Sequence, residues 1–272
     1  MKAGVLAAAV LLLLPGQAAA ASSKPQRIMS LKICTDQLLM DLVAPLRIVS
    51  VTFLAQEPAA LRWWPGAKNL RVNYGSAEEI LAARPDLILT DSFTAPALKP
   101  LLARSGAKVV ELPLAENFAN IRKAVRLTAK AVGEEARGEA LIARMDADLR
   151  DIAAKRPKHG MSVVQWGEGG YVPGTGGLFD AVLTAIGVRN AERGSFGFYD
   201  VESLLVKNPD ALVYANTYDG MVSLRDHQSF QAALMRRYQG RRVSYDSLYG
   251  CGVPNTARAA KRLQAALVDV TP

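Results

Sequence analysis

Gly75–Leu89 reads GSAEEILAARPDLIL, and Tyr199–Val213 reads YDVESLLVKNPDALV. One constant offset relates the two stretches: Glu78 falls on Glu202, Leu81 on Leu205, Pro85 on Pro209 and Asp86 on Asp210. Each copy spells a capped short helix, a Pro-Asp turn and an entering strand. A chain of 272 residues that repeats such a unit is long enough for two lobes.

Outward from these copies, short β-rich runs alternate with amphipathic stretches. Arg27–Ile33, Arg47–Thr52, Leu87–Thr90 and Lys108–Leu112 read as strands. Asp36–Val43 (with Thr35 as N-cap), Ser76–Ala83 and Ala95–Ser105 read as helices. A helical block follows, Asn117–Val132 and Glu134–Ala154, interrupted at Gly133 and ended by a break from Arg156 to Gly160. Alternation then resumes. Met161–Trp166, Ala211–Ala215 and Arg242–Tyr245 read as strands; Leu178–Ile186, Val201–Val206, Gln228–Tyr238 and Asn255–Val268 read as helices. Such alternation predicts an α/β fold with parallel sheets covered by helices. Glu134–Ala154 is long enough, at about 1.5 Å per residue, to bridge two lobes. The expected division is a leader at 1–21, a first α/β lobe at 24–133, a bridging helix at 134–156 and a second α/β lobe at 157–272. Ligands of open α/β sheets lie beyond the carboxyl ends of the strands, so two lobes on one bridge place a cleft between them.

The opening residues read as a secretory signal. Lys2 is a positive start, Val5–Leu14 a short apolar run, and Ala18–Ala21 a small-residue cleavage site. No cysteine stands there to carry a lipid, which leads to the expectation of a free exported protein. Without Lys2 the chain holds 32 basic and 25 acidic residues. That excess suits an anionic ligand, with Arg62, Lys68 and Arg71 as contacts. Nucleic acid is disfavoured by export and by the lack of a basic run with interleaved aromatics. Two cysteines and two histidines, His159 and His227, cannot build a four-Cys zinc site, an all-Cys iron–sulfur cluster or a His-rich metal centre. No metal or cofactor is expected, and no G-x-S-x-G elbow supports an exported hydrolase, the rival reading.

The paired E-x-[IL]-[LV]-x-x-x-P-D unit, the two α/β halves and the helical bridge resemble the class III periplasmic substrate-binding proteins of ABC importers. Those proteins serve ferric siderophores, cobalamin and haem. The resemblance covers about Pro25 to Thr271. It implies a monomeric periplasmic protein that captures a metal-chelate or corrinoid cargo and hands it to an inner-membrane permease dimer without a covalent step. It also implies that Glu78 and Glu202, one per lobe, dock on permease arginines. The plain alternative is that first-turn acids serve the helix dipole, at ~0.3–1 kcal/mol each. Ser76 with Glu79 already fits a capping box, which leaves Glu78 free to face outward.

Three readings stand for Cys34 and Cys251: a disulfide, two separate thiols, or a soft-metal site. A bond would close a long loop, contribute ~4–5 kcal/mol by the chain-entropy model and staple the lobes. The Gly167–Gly177 loop lacks both the P-loop lysine and the last glycine of a dinucleotide fingerprint. It reads as a flexible cleft rim or as plain surface. Residues at strand ends are the cleft candidates: Cys34, Thr35, Phe53, Trp63, Tyr74, Phe93, Trp166, Tyr171, Tyr218 and Tyr249. Rings with hydroxyl tips suit a large cargo with apolar and polar faces, against the alternative of ordinary packing beneath loops. Tyr218 and Tyr249 are further candidates to ligate haem iron.

Overall fold

The computed structural model describes residues 24–94, 96–157, 160–215, 232–245 and 250–270. The first half runs β1 (Ile28–Ser30), α1 (Ile33–Leu42), β2 (Ile48–Thr52), α2 (Pro58–Leu61), β3 (Val72–Asn73), α3 (Ala77–Ala83), β4 (Leu87–Asp91), α4 (Lys99–Arg104) and β5 (Lys108–Leu112). Its five strands form one parallel sheet, ordered β3-β2-β1-β4-β5. Two helices follow, α5 (Phe118–Val132) and α6 (Glu135–Ala154). The second half runs β6 (Ser162–Gln165), β7 (Tyr171–Pro173), α7 (Leu178–Ile186), β8 (Arg189–Asn190), β9 (Phe196–Phe198), α8 (Val201–Lys207), β10 (Ala211–Ala215), α9 (Ala232–Arg237), β11 (Arg242–Tyr245) and α10 (Asn255–Val268). Here the parallel sheet is ordered β11-β10-β6-β8, and β7 pairs antiparallel with β9.

Central strands of parallel sheets are covered on both faces, so they need continuous apolar runs rather than alternation. Leu87, Ile88 and Leu89 of β4 are fully buried, as are Ala211, Leu212 and Val213 of β10. The two repeat copies adopt one construction. Ser76 caps α3 in a reciprocal capping box with Glu79, and Asp200 caps α8 by accepting the Ser203 N–H. Both helices end in a left-handed non-glycine residue, Arg84 (φ 44°) and Asn208 (φ 45°). The Pro-Asp pair then starts the next strand.

Some expected boundaries shift. The strand drawn over Arg27–Ile33 stops at Ser30, because the Ser30 and Thr35 hydroxyls both donate to the Lys32 carbonyl and turn the chain into α1. Lys32, not Thr35, is the N-cap. The helix drawn over Ala95–Ser105 begins at Lys99, since Pro100 fits only within a first turn. The helix drawn over Gln228–Tyr238 spans Ala232–Arg237 among the described residues, and positions 228–231 lie outside them.

α6 crosses between two cores. Its Leu141, Ile142 and Met145 pack with the first sheet's core and its Ile152 with the second's. α10 lies against it and has the same division. Ala257 belongs to the first core; Ala259, Ala260, Leu263 and Leu267 belong to the second. Lys261 pairs with Asp148 and Asp151 of α6, at 3.2 and 2.6 Å.

Part of the basic excess is structural. Arg27 donates to the Ala83 and Arg84 carbonyls at the end of α3, and Arg156 to the Ala185 carbonyl at the end of α7. Guanidinium groups there satisfy orphan carbonyls and suit the helix dipole.

Candidate ligand cleft

In the first sheet the chain builds outward from β1 to β2 and β3, then returns to add β4 and β5 on the other side. The switch point, where ligands of such sheets bind, lies between β1 and β4. Lys32 spans it, donating from Nζ to the Phe93 carbonyl at 3.1 Å and facing Asp91 at 3.8 Å. The sequence reading had passed over Lys32. Its signal was position alone: a cation directly after the central strand.

Beside this point stand three exposed rings, each just beyond a strand end. Phe53 follows β2 and Tyr74 follows β3. They stack with centroids 5.0 Å apart and planes 19° off parallel. Phe93 follows β4 and is largely exposed. The residues leading into the stack rest on a buried polar network. Asp36 is fully buried, and its carboxylate accepts the Thr52 N–H (3.1 Å) and the Thr52 hydroxyl (2.5 Å). Burial pushes its pKa up to about 7, against the Ser30 and Thr52 hydrogen bonds that lower it. Asn73 Nδ2 donates to the carbonyls of Ser30 and Val51 and to the Ser50 hydroxyl. These bonds fix the residues immediately before Phe53 and Tyr74. Thr35 belongs to this network rather than to the cleft wall. It is fully buried, with its hydroxyl 2.7 Å from that of Ser30.

The second lobe presents another trio. Tyr171 of β7 stands across from Phe198 of β9, with Phe196 two residues along the same face. The rings meet at 5.9–6.3 Å, and all three are exposed. The alternation Phe-Gly-Phe at 196–198 was the available signal for this strand, and Phe196 was missed. The glycine-rich loop is not a loose rim. It carries β7, and its glycines permit close approach of the 194–199 segment. A Cβ at Gly174 would lie 1.9 Å from the Gly194 carbonyl oxygen, and one at Gly170 2.4 Å from that of Tyr199. Glu192 ties the segment by accepting the Gly194 N–H and the Tyr199 hydroxyl. The Tyr199 bond, then the Gly194 bond, hold its carboxyl below the usual range.

One tryptophan placement corrects the cleft reading. Trp166 is 3% exposed, packs with Val164, Val172 and Tyr238, and spends its indole N–H on the Tyr199 carbonyl. Trp63 is partly buried on the first core, and its ring lies 5.4 and 5.0 Å from the Arg258 and Arg262 guanidiniums of α10. Trp64 is buried and donates to Asp41 at 2.7 Å. Tyr218, Tyr249, His159 and His227 lie outside the described residues. Cys34 and Cys251 form a disulfide, with Cα atoms 5.2 Å apart across 217 positions. Among the described residues no three His, Cys, Asp or Glu side chains gather as a metal-ligand set.

Glu78 and Glu202 are both exposed, and each sits at the second position of its helix behind a capped start. Glu79 turns inward. Burial would raise its pKa, but the N–H groups of Ser76 and Tyr74, the Ser76 side chain and the nearby Arg71 charge hold it below the usual range.

The model of the family described as periplasmic binding protein matches residues 28–236. The chain belongs to that family. A curated relative, the uncharacterized ABC transporter substrate-binding lipoprotein YvrC of Bacillus subtilis (strain 168), is 26% identical over 211 residues. The match takes in 73% of this chain and 65% of the relative, so the chain spans about two thirds of that protein's length. The periplasmic heme-binding protein RhuT from Roseiflexus sp. RS-1 is a structural neighbour at TM-score 0.73 and 22% identity, over 90% of this chain and 98% of that one. The periplasmic vitamin B12 binding protein BtuF of Vibrio cholerae is another, at TM-score 0.67 and 16% identity, over 90% and 97%. At these identities the likeness is one of fold alone, α/β with parallel sheets flanked by helices.

One expectation is corrected by the curated relative. It is a lipoprotein, which points to a membrane-anchored protein rather than a free one. The expectation of a free protein rested on the absence of a cysteine near Ala18–Ala21, and an absence is weak ground for a location. Among the described residues no helix is long and apolar enough to cross a membrane.

Proposed function

We propose that this chain is the substrate-binding component of an ABC importer, which captures a metal-chelate or corrinoid cargo and delivers it to a membrane permease. The observation that carries this reading is the pair of exposed ring clusters, Phe53–Tyr74–Phe93 and Tyr171–Phe196–Phe198. One stands on each α/β lobe of a family that binds solutes. Flat rings in such number suit a large cargo with apolar faces. Structural neighbours named for heme and vitamin B12 support that class. The chain acts by closing on its cargo, with no covalent step. We divide it into a leader at 1–21, lobes at 24–133 and 157–272, and a bridge at 134–156. Glu78 and Glu202 are its docking points on a permease dimer. Charged pairs of this kind set encounter and register more than affinity.

The test is a fluorescence titration of the purified protein with ferrichrome, cyanocobalamin and hemin. Saturable binding of one class, with the others silent, supports the reading. Failure of all three, together with steady turnover of ester or phosphate substrates, would replace it with the hydrolase.

A further inference from the structure

We propose that the Cys34–Cys251 disulfide is a redox-controlled clasp. It pins the first turn of α10 to the first lobe and so presets the spacing of the cleft. Cys34 stands in the first turn of α1, directly after the central strand of the first sheet, and is partly exposed. Cys251 leads into α10, the helix whose later turns belong to the second core. The bond therefore joins the middle of one lobe to a helix rooted in the other.

The contacts around it are built for the same junction. Val253 and Ala257 are buried in the first core. At position 252 a Cβ would lie 2.2 Å from the Ala115 carbonyl oxygen, so only glycine lets this segment sit so close to the first lobe. Trp63 lies against Arg258 and Arg262, one turn apart on α10. At its far end the helix is held to the second lobe by Gln264, which donates to the carbonyls of Ile152 and Ile186. Relative motion of the lobes must strain or detach one end of α10. The near end is the covalent one.

Reduction releases that end. A dithiol supplies two electrons and two protons, the S–S bond becomes two thiols, and the dithiol leaves as its own disulfide. Trp63, Gly252 and Val253 then hold the first turn by packing alone. In the oxidised protein the cleft is preset, so less ordering opposes cargo binding. The effect on cargo rests on the binding reading above; the effect on α10 does not.

Hydrogen exchange of the full chain, oxidised and after reduction with a dithiol, separates the two. The expected result is at least tenfold faster exchange across 251–262 on reduction, with the amides of β1 and β10 unchanged. A Cys34→Ser/Cys251→Ser double variant should exchange as the reduced protein does. Whichever of hemin, cyanocobalamin or ferrichrome binds the oxidised protein should bind the reduced form about tenfold more weakly. Equal exchange at 251–262 in both redox states overturns the clasp. So does loosening of β1 and β10 together with α10, because it would make the bond a general stabiliser. Should none of the three probes bind, the exchange result still decides the clasp, and only the cargo reading fails.

Discussion

Asp86 and Asp210 perform one task in two places. The Asp86 carboxylate accepts the N–H groups of Gln26 and Arg27, at 2.7 and 3.0 Å, where β1 begins. The Asp210 carboxylate accepts the N–H and the hydroxyl of Ser162, both at 2.7 Å, where β6 begins. Each aspartate ends a repeat copy and sets the start of the sheet's central strand. In both sheets that neighbour pairs in parallel with the strand the aspartate leads into.

This sharing gives a graded prediction. Asp210 is more enclosed than Asp86, so Asp210→Ala should cost roughly 1.5–3 kcal/mol, the range for bonds to charged acceptors, and the exposed Asp86→Ala only about 1 kcal/mol, that of an ordinary bond. Urea unfolding with unchanged slope is the measurement. Burial raises the Asp210 pKa, but the Ser162 bonds outweigh it and hold the group below its ordinary value. Its contribution is therefore full above about pH 4 and is lost as pH falls further. Equal, negligible costs for both variants would show that the shared motif is incidental.

What was legible in the sequence follows the same division. Helices α7 and α10 and strands β5, β10 and β11 lie where periodicity and turn residues put them, because each has apolar spacing and an adjacent breaker such as Gly187 or Gly240. β3 and β8 are two residues long, too short for any period to register. The exposure of the rings was half legible. Phe53, Tyr74, Phe93 and Tyr171 are exposed rings beyond or within strands, yet Trp166 also follows a strand and is taken by packing, while Trp63 follows α2 and lies against Arg258 and Arg262. Position after a strand does not tell which way a ring turns. That depends on neighbours such as Tyr199 and Arg262, which are remote in sequence.

The left-handed residues that end α3 and α8 offer a second prediction. Arg84 and Asn208 occupy a conformation that is costly for a side chain and open to glycine. Asn tolerates it better than Arg. Arg84→Gly should therefore raise stability by roughly 0.5–1 kcal/mol, and Asn208→Gly by less, since Arg237 also donates to Asn208 at 2.5 Å. Thermal midpoints of the two variants measure it; destabilisation at position 84 would refute the strain argument.

The ring trio of the second lobe gives a third. Phe196 and Phe198 expose most of their surface, so their removal should leave the fold intact. Phe196→Ala or Phe198→Ala should weaken cargo binding about tenfold, ~1.4 kcal/mol, with unfolding midpoints nearly unchanged. Unaltered affinity in both variants would take the trio out of the cleft.

Docking is tested apart from capture. Glu78→Ala with Glu202→Ala should abolish uptake in cells that depend on this protein, while the purified variant binds cargo as before. Neither carboxylate makes a contact that the fold needs, because the capping bonds belong to Ser76, Glu79 and Asp200. If cargo binding falls along with uptake, the two glutamates are not docking points.

The buried carboxyl of the polar network that leads into the Phe53–Tyr74 stack gives the last prediction. Asp36 ionises near its ordinary 3.8 in the unfolded chain, but near 7 in the folded one because burial disfavours the charge. Between those values the folded protein keeps a proton that the unfolded chain has released. Stability must then fall as pH rises from about 4 to about 7 and level off above. Asp36→Asn is neutral at every pH and still offers an oxygen to the Thr52 N–H and hydroxyl. It should cost stability at pH 5, cost less at pH 8, and flatten the slope between. Urea midpoints at pH 5, 6.5 and 8 for both proteins decide it. A slope that survives the substitution would mean that another group carries the pH dependence.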